Sequence, residues 1–148
     1  MENKFMNLAI QNAKKALEIN EIPIGAVIID QEQNIIGCGF NTRESTNSVI
    51  GHGEINAINE ACINLNTWKL DNCIMYVTVE PCIMCYGAIL QSRIKKVYIG
   101  SKQDDIKKSS YRKYIISNDI DIDESLINQE SIDLMKNFFK KNIRGEKC

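Results

Sequence analysis

CIMYVTVEPCIMC, residues 73 to 85, decides how this chain folds. Cys73 to Val79 is apolar and rich in β-branched residues, and predicts a strand covered on both faces. Pro81 follows, and proline favours the first helical position, so a third helix is expected to open there and run through Ile83, Ala88 and Leu90 towards Ser92. A buried strand passing directly into a helix is half of a layered α/β unit.

The flanking sequence extends that unit. Ile55, Ile58, Cys62 and Leu65 recur at helical spacing and predict a helix from about 53 to 65. Val97 to Gly100 predicts a short strand. Upstream, Ala26 to Asp30 and Ile35 to Phe40 predict two strands, and the polar Gln31 to Asn34 between them predicts a hairpin. Phe5, Leu8, Ala9, Ala13, Ala16 and Leu17 place an amphipathic helix over about 3 to 18. Ile132, Met135 and Phe139 place another over about 128 to 143. The expected fold is therefore α/β, with a mixed central sheet flanked by helices in three layers.

At 148 residues, one domain spanning 1–148 is expected, long enough to bury a core without disulfides. The formal net charge of −1 gives no bulk attraction for nucleic acid. No apolar run approaches the roughly 20 residues that span a bilayer. The first residues carry no signal-peptide pattern, so a cytoplasmic setting with reduced thiols is expected. Cys38, Cys62 and Cys73 fall on apolar faces and read as core thiols.

The chemistry concentrates in two helix starts. His52, the single histidine of the chain, precedes Gly53 and Glu54, and Cys82 and Cys85 follow Pro81. A helix N-terminus favours negative charge and so favours thiolate, the metal-binding form. One imidazole and two thiolates make three zinc ligands with a fourth position for water, the pattern of a catalytic site. Glu54 is left outside the ligand count and within reach of that water, as a general base and acid. A redox Cys-x-x-Cys pair would leave His52 and Glu54 unexplained, and a structural zinc knot would want a fourth protein ligand.

His-x-Glu followed by Pro-Cys-x-x-Cys is the signature of zinc-dependent base deaminases. The chain further resembles the bacterial tRNA-specific adenosine deaminases of the cytidine deaminase superfamily. The resemblance runs through EIPIGAVI (21–28), NTRE (41–44), TWKL (67–70), YVTVEPCIMC (76–85), GAILQSRI (87–94) and FFKKNIR (138–144). It implies a cytidine deaminase-like sheet of about five strands and one Zn(2+) per subunit on His52, Cys82 and Cys85. It also implies Glu54 as the catalytic acid and base, Asn41 in contact with the base, and a homodimer. The implied reaction is hydrolysis of adenosine to inosine at the wobble position of a tRNA anticodon loop.

Gly53, where that family usually carries alanine, joins Asn41 as a substrate-binding candidate. Glycine there, with an altered segment over 100–115, keeps open a free base or nucleoside as substrate: guanine, cytosine or adenosine. A remoter alternative is a catalytically silent zinc-containing RNA-binding subunit, which would be expected to lack Glu54. Lys102, Lys107, Lys108, Arg112 and Lys113, with Tyr111 and Tyr114 interleaved, are candidates for phosphate contact and base stacking. Lys136, Lys140, Lys141, Arg144 and Lys147 form a second basic segment, and solvated faces explain both equally well.

Overall fold

The computed structural model describes residues 3–103 and 119–141. Its elements run α1 (Lys4–Glu18), β1 (Gly25–Ile29), β2 (Ile35–Phe40), α2 (Gly53–Leu65), β3 (Ile74–Val77), α3 (Ile83–Ser92), β4 (Lys96–Ile99), β5 (Asp121–Asp123) and α4 (Gln129–Lys141). The sheet order is β2-β1-β3-β4-β5. β1 is antiparallel to both β2 and β3, whereas β3–β4 and β4–β5 are parallel. This is the mixed five-stranded sheet expected from the sequence.

Side-chain alternation along the strands divides the core in two. Ala26, Ile28, Met75, Val77, Val97 and Ile99 face α2 and α3 in one cluster. Val27, Ile29 and Tyr76 face the other way, against Phe5, Met6, Ala9 and Ile10 of α1. Leu134 of α4 packs on that second cluster, and Lys14 pairs with Glu130 at 2.7 Å across α1 and α4. The helices thus cover both faces, as the uninterrupted apolar run of β3 requires.

Local chemistry explains the element ends. Asn3 caps α1 by accepting from the N–H groups of Phe5 and Met6. Asp30 Oδ1 accepts from Glu32 and Asn34 N–H and closes the β1–β2 hairpin, with Gln33 at φ 67°. α2 sits unusually close to β2. A Cβ on Gly39 would stand 2.3 Å from Gly53 O and 2.5 Å from Ala57 N. Only a glycine lets the helix backbone rest on the strand there.

One expectation needs correction, and one strand has no apolar signal in the sequence. Pro81 does not open α3: Cys82 is the N-cap, extended at φ −72° and ψ 174°, and the helix starts at Ile83. Asp121–Asp123 forms a fifth strand that carries no apolar pattern. Lys96 holds it, with Nζ 2.7 Å from Asp121 and 3.1 Å from Asp123. Lys107, Lys108, Tyr111, Arg112, Lys113 and Tyr114 lie outside the described residues, as do Arg144 and Lys147. Among the described residues no helix is long and apolar enough to cross a membrane.

Candidate metal centre and active site

α2 and α3 start at the same edge of the sheet, and neither start is capped by a side chain. The N-cap residues are His52 and Cys82, and Cys85 lies three positions into α3. His52 Nδ1 is 3.6 Å from Cys82 Sγ and 3.5 Å from Cys85 Sγ. The three donor atoms lie within 4.8 Å of one another. Two helix N-termini therefore bring one nitrogen and two sulfurs to a point, a donor set that suits zinc.

The proton arrangement in this cluster fits a cation. Cys82 is pulled down to about 4 by the hydrogen bond from Cys85, with His52 adding to the effect against the opposing effect of burial. Cys85 is pushed well above the usual thiol range because its proton is the one shared with Cys82, and burial adds to this. His52 is raised first by its bond to Cys82. One thiolate, one thiol and one imidazole share protons here, which a bound metal would displace.

Glu54 occupies the second helical position of α2 and is 3 % exposed. Burial, and then the Cys82 thiolate, raise its carboxyl to about 7. Its Oε1 has no hydrogen-bond partner among the described residues. A buried polar atom left unpaired is costly, so one that persists marks a place for a ligand or a reacting group.

Asn41 stands just beyond β2 and is buried. Its N–H donates to Ile24 O at 3.2 Å, and its Oδ1 accepts from Arg43 N–H at 3.1 Å. With that oxygen engaged, the amide nitrogen is the group it has left to offer. Thr42 N–H donates to Gly51 O at 2.8 Å, which joins the Asn41 end of the loop to the His52 end. Gly53 stands differently. A Cβ there would lie 3.1 Å from Ile24 O and 3.3 Å from Phe40 Cα, so its open side faces the sheet edge.

Sequence reasoning missed Arg43, whose Nη1 is 3.4 Å from His52 Nε2. It had appeared only within the NTRE match, and nothing in its spacing set it beside the imidazole. Glu80, also buried, accepts Gln103 N–H at 3.1 Å and ties down the chain after β4. Cys38, Cys62 and Cys73 are free thiols, with Cys73 buried and the other two half-buried.

Residues 1–101 match the cytidine and deoxycytidylate deaminase zinc-binding region. The chain belongs to that zinc-dependent deaminase family. Within it, the chain is 38% identical over 143 residues to the tRNA-specific adenosine deaminase of Buchnera aphidicola subsp. Schizaphis graminum, covering 94% of both chains. A structure from studies of A-to-I editing by tRNA:A34 deaminases superposes with a TM-score of 0.80 at 33% identity, covering 90% of this chain and 99% of that one. The guanine deaminase of Bacillus subtilis superposes with a TM-score of 0.67 at 27% identity, covering 100% and 98%. The deaminase fold and enzyme class expected from the sequence are thus shown.

Proposed function

We propose that this chain is a single-domain hydrolytic deaminase that converts adenosine to inosine at the wobble position of a tRNA anticodon. In this reading it is a cytoplasmic homodimer with one zinc per subunit. The observation that carries it is the buried Glu54 carboxylate, with a free oxygen, beside the His52–Cys82–Cys85 cluster. Its relatives across nearly the full chain length are tRNA-specific adenosine deaminases, which favours adenosine in tRNA as the substrate.

His52 through Nδ1, and Cys82 and Cys85 through their sulfurs, would hold the ion. Zinc, when bound, supplies Lewis-acid chemistry that brings the pKa of water towards about 7. Glu54 accepts a proton at its free Oε1 and later delivers it to the departing amine nitrogen on C6 of adenine. Adenosine and water give inosine and ammonia. Asn41 offers its amide nitrogen to the base from the loop wall. The buried position of Glu54 keeps bulk water from competing for that proton. An anticodon loop presents its base already unstacked, which lowers the cost of taking it into the site.

A free purine base is the second reading, favoured by the likeness to a guanine deaminase over the whole chain. Ammonia release and inosine formation, measured side by side on an anticodon stem-loop and on guanine, cytosine and adenosine, separate the two. Turnover confined to the free bases would overturn the tRNA reading. Zinc in the protein with no ammonia from any substrate would favour a silent RNA-binding subunit.

A further inference from the structure

Glu21 is a buried acid that the chemistry above does not use. It lies between α1 and β1 and is 1 % exposed. Its N–H donates to Ala16 O at 2.9 Å, which fixes it to the end of α1. One carboxylate oxygen accepts from Glu44 N–H at 3.2 Å and the other from Ser45 N–H at 2.5 Å. A carboxylate is costly to bury, and charge-assisted bonds to backbone N–H groups offset that cost.

What Glu21 grips is the loop that builds one wall of the site. Residues 42–51 link Asn41 to His52, and most of their bonds stay inside the loop. Thr46 N–H donates to Thr42 O, Ser48 N–H to Arg43 O, and Gly51 N–H to Ser48 O, each at 3.0 Å. Such a loop holds its own shape but must be docked to the scaffold to hold a position. Asn56 docks its closed end, through Nδ2 to Thr42 Oγ1 at 3.0 Å. Glu21 docks the turn beyond it, which carries Arg43 to the edge of the His52 ring. At the far tip, Val49 and Ile50 are exposed.

We propose that Glu21 is a positioning residue: it seats the 42–51 loop so that Asn41 and Arg43 stand correctly over the site, and thereby sets substrate capture. This rests on the deaminase reading of the site. Among the described residues Glu21 bonds to Glu44, Ser45 and Ala16 and not to the His52–Cys82–Cys85 cluster or Glu54, so the proton chemistry does not depend on it.

The test compares Glu21→Ala and Glu21→Gln with the unaltered chain, all full length and zinc-loaded. Four quantities are read: zinc content, melting temperature, kcat and KM on an anticodon stem-loop, and amide exchange at Glu44 and Ser45. Glu21→Ala should keep its zinc and a kcat within about threefold, and raise KM about tenfold, the size expected for losing charge-assisted bonds. Both amides should exchange faster. Glu21→Gln keeps one acceptor oxygen and should fall between, and it carries the test if the alanine variant does not fold.

An unchanged KM with opened amides would overturn the proposal. So would zinc, melting temperature and kcat falling together, the signature of a merely structural acid. If the unaltered chain deaminates nothing, the deaminase reading fails separately. The Glu21 proposal is then decided by stem-loop binding: about tenfold weaker in Glu21→Ala supports it, and equal binding sinks it.

Discussion

Arg43 and His52 meet on the side of the imidazole away from the cysteines: Nη1 lies 3.4 Å from Nε2, while Nδ1 faces both sulfurs. The ring is thus divided, with one nitrogen turned to the donor cluster and the other to the loop. A metal-bound histidine is commonly steered by what its second nitrogen meets. Here the neighbour is a cation, which opposes positive charge on the ring.

The first prediction follows from that division. His52→Ala removes the nitrogen donor, and zinc affinity should fall by more than the roughly 100-fold seen for loss of an outer-sphere partner. Cys85→Ala should behave alike. Competitive chelation followed by metal analysis measures both, and a variant that keeps tight stoichiometric zinc would contradict the donor set.

Glu54 separates stability from activity. Glu54→Gln removes a buried charge with an unpaired oxygen, so its melting temperature should equal or exceed that of the unaltered chain. Turnover should drop by about 10²- to 10⁴-fold, the usual worth of a positioned acid–base group. Zinc content should not change. Thermal melts and single-turnover kinetics on one preparation test all three statements.

Gly53 and Gly39 should respond differently to alanine. At Gly53 the new methyl group meets Ile24 O at 3.1 Å, so its neighbours must give by a few tenths of an ångström. Strain and the gain in helix propensity then nearly cancel, to within about 1 kcal/mol. The methyl faces the sheet edge, so the order of preferred substrates should stay the same. A reordered panel would support Gly53 as a substrate-binding residue. At Gly39 the methyl would meet helix backbone at 2.3 Å, which cannot yield without moving α2. Gly39→Ala should cost about 3 kcal/mol in denaturant unfolding and impair turnover as well.

The β4–β5 edge gives a pH prediction remote from the chemistry. Asp123 is held down to about 2, first by its bonds from Ser125 and then by Lys96. A folded pKa below the unfolded value of about 3.9 stabilises above that value, and the contribution is lost as pH falls towards 2. Asp123→Asn should therefore flatten the stability profile between about pH 4 and pH 2. Denaturant midpoints across that range decide it, and an unaltered slope would refute it.

How much of this was legible in the sequence depended on the kind of signal. α2 was readable to its end residues because apolar spacing runs through it; the structure adds that Asn66 closes it in the left-handed conformation, at φ 54°. That His52, Cys82 and Cys85 would come together was readable because metal-binding residue types carry their chemistry in their identity and spacing. β5 was not, since Asp-Ile-Asp is a strand only through its ladder with β4 and the Lys96 pairs. Pro81 misled by two residues because Cys82 stays extended to turn its sulfur towards His52. Glu21 was hidden most completely. An acid before a proline-containing turn reads as surface, and its burial exists only once the distant 42–51 loop closes over it.

Neither α2 nor α3 has a side chain capping its start. Helix N-caps favour serine, threonine, aspartate or asparagine, whose side-chain oxygen holds the first turn. Here those two places are given to His52 and Cys82, two members of the cluster that could hold a metal ion. If zinc is held there as proposed, folding and metal supply would be linked: losing the ion would both silence the site and free two helix starts. The melting temperature of the zinc-loaded chain should then fall on chelation.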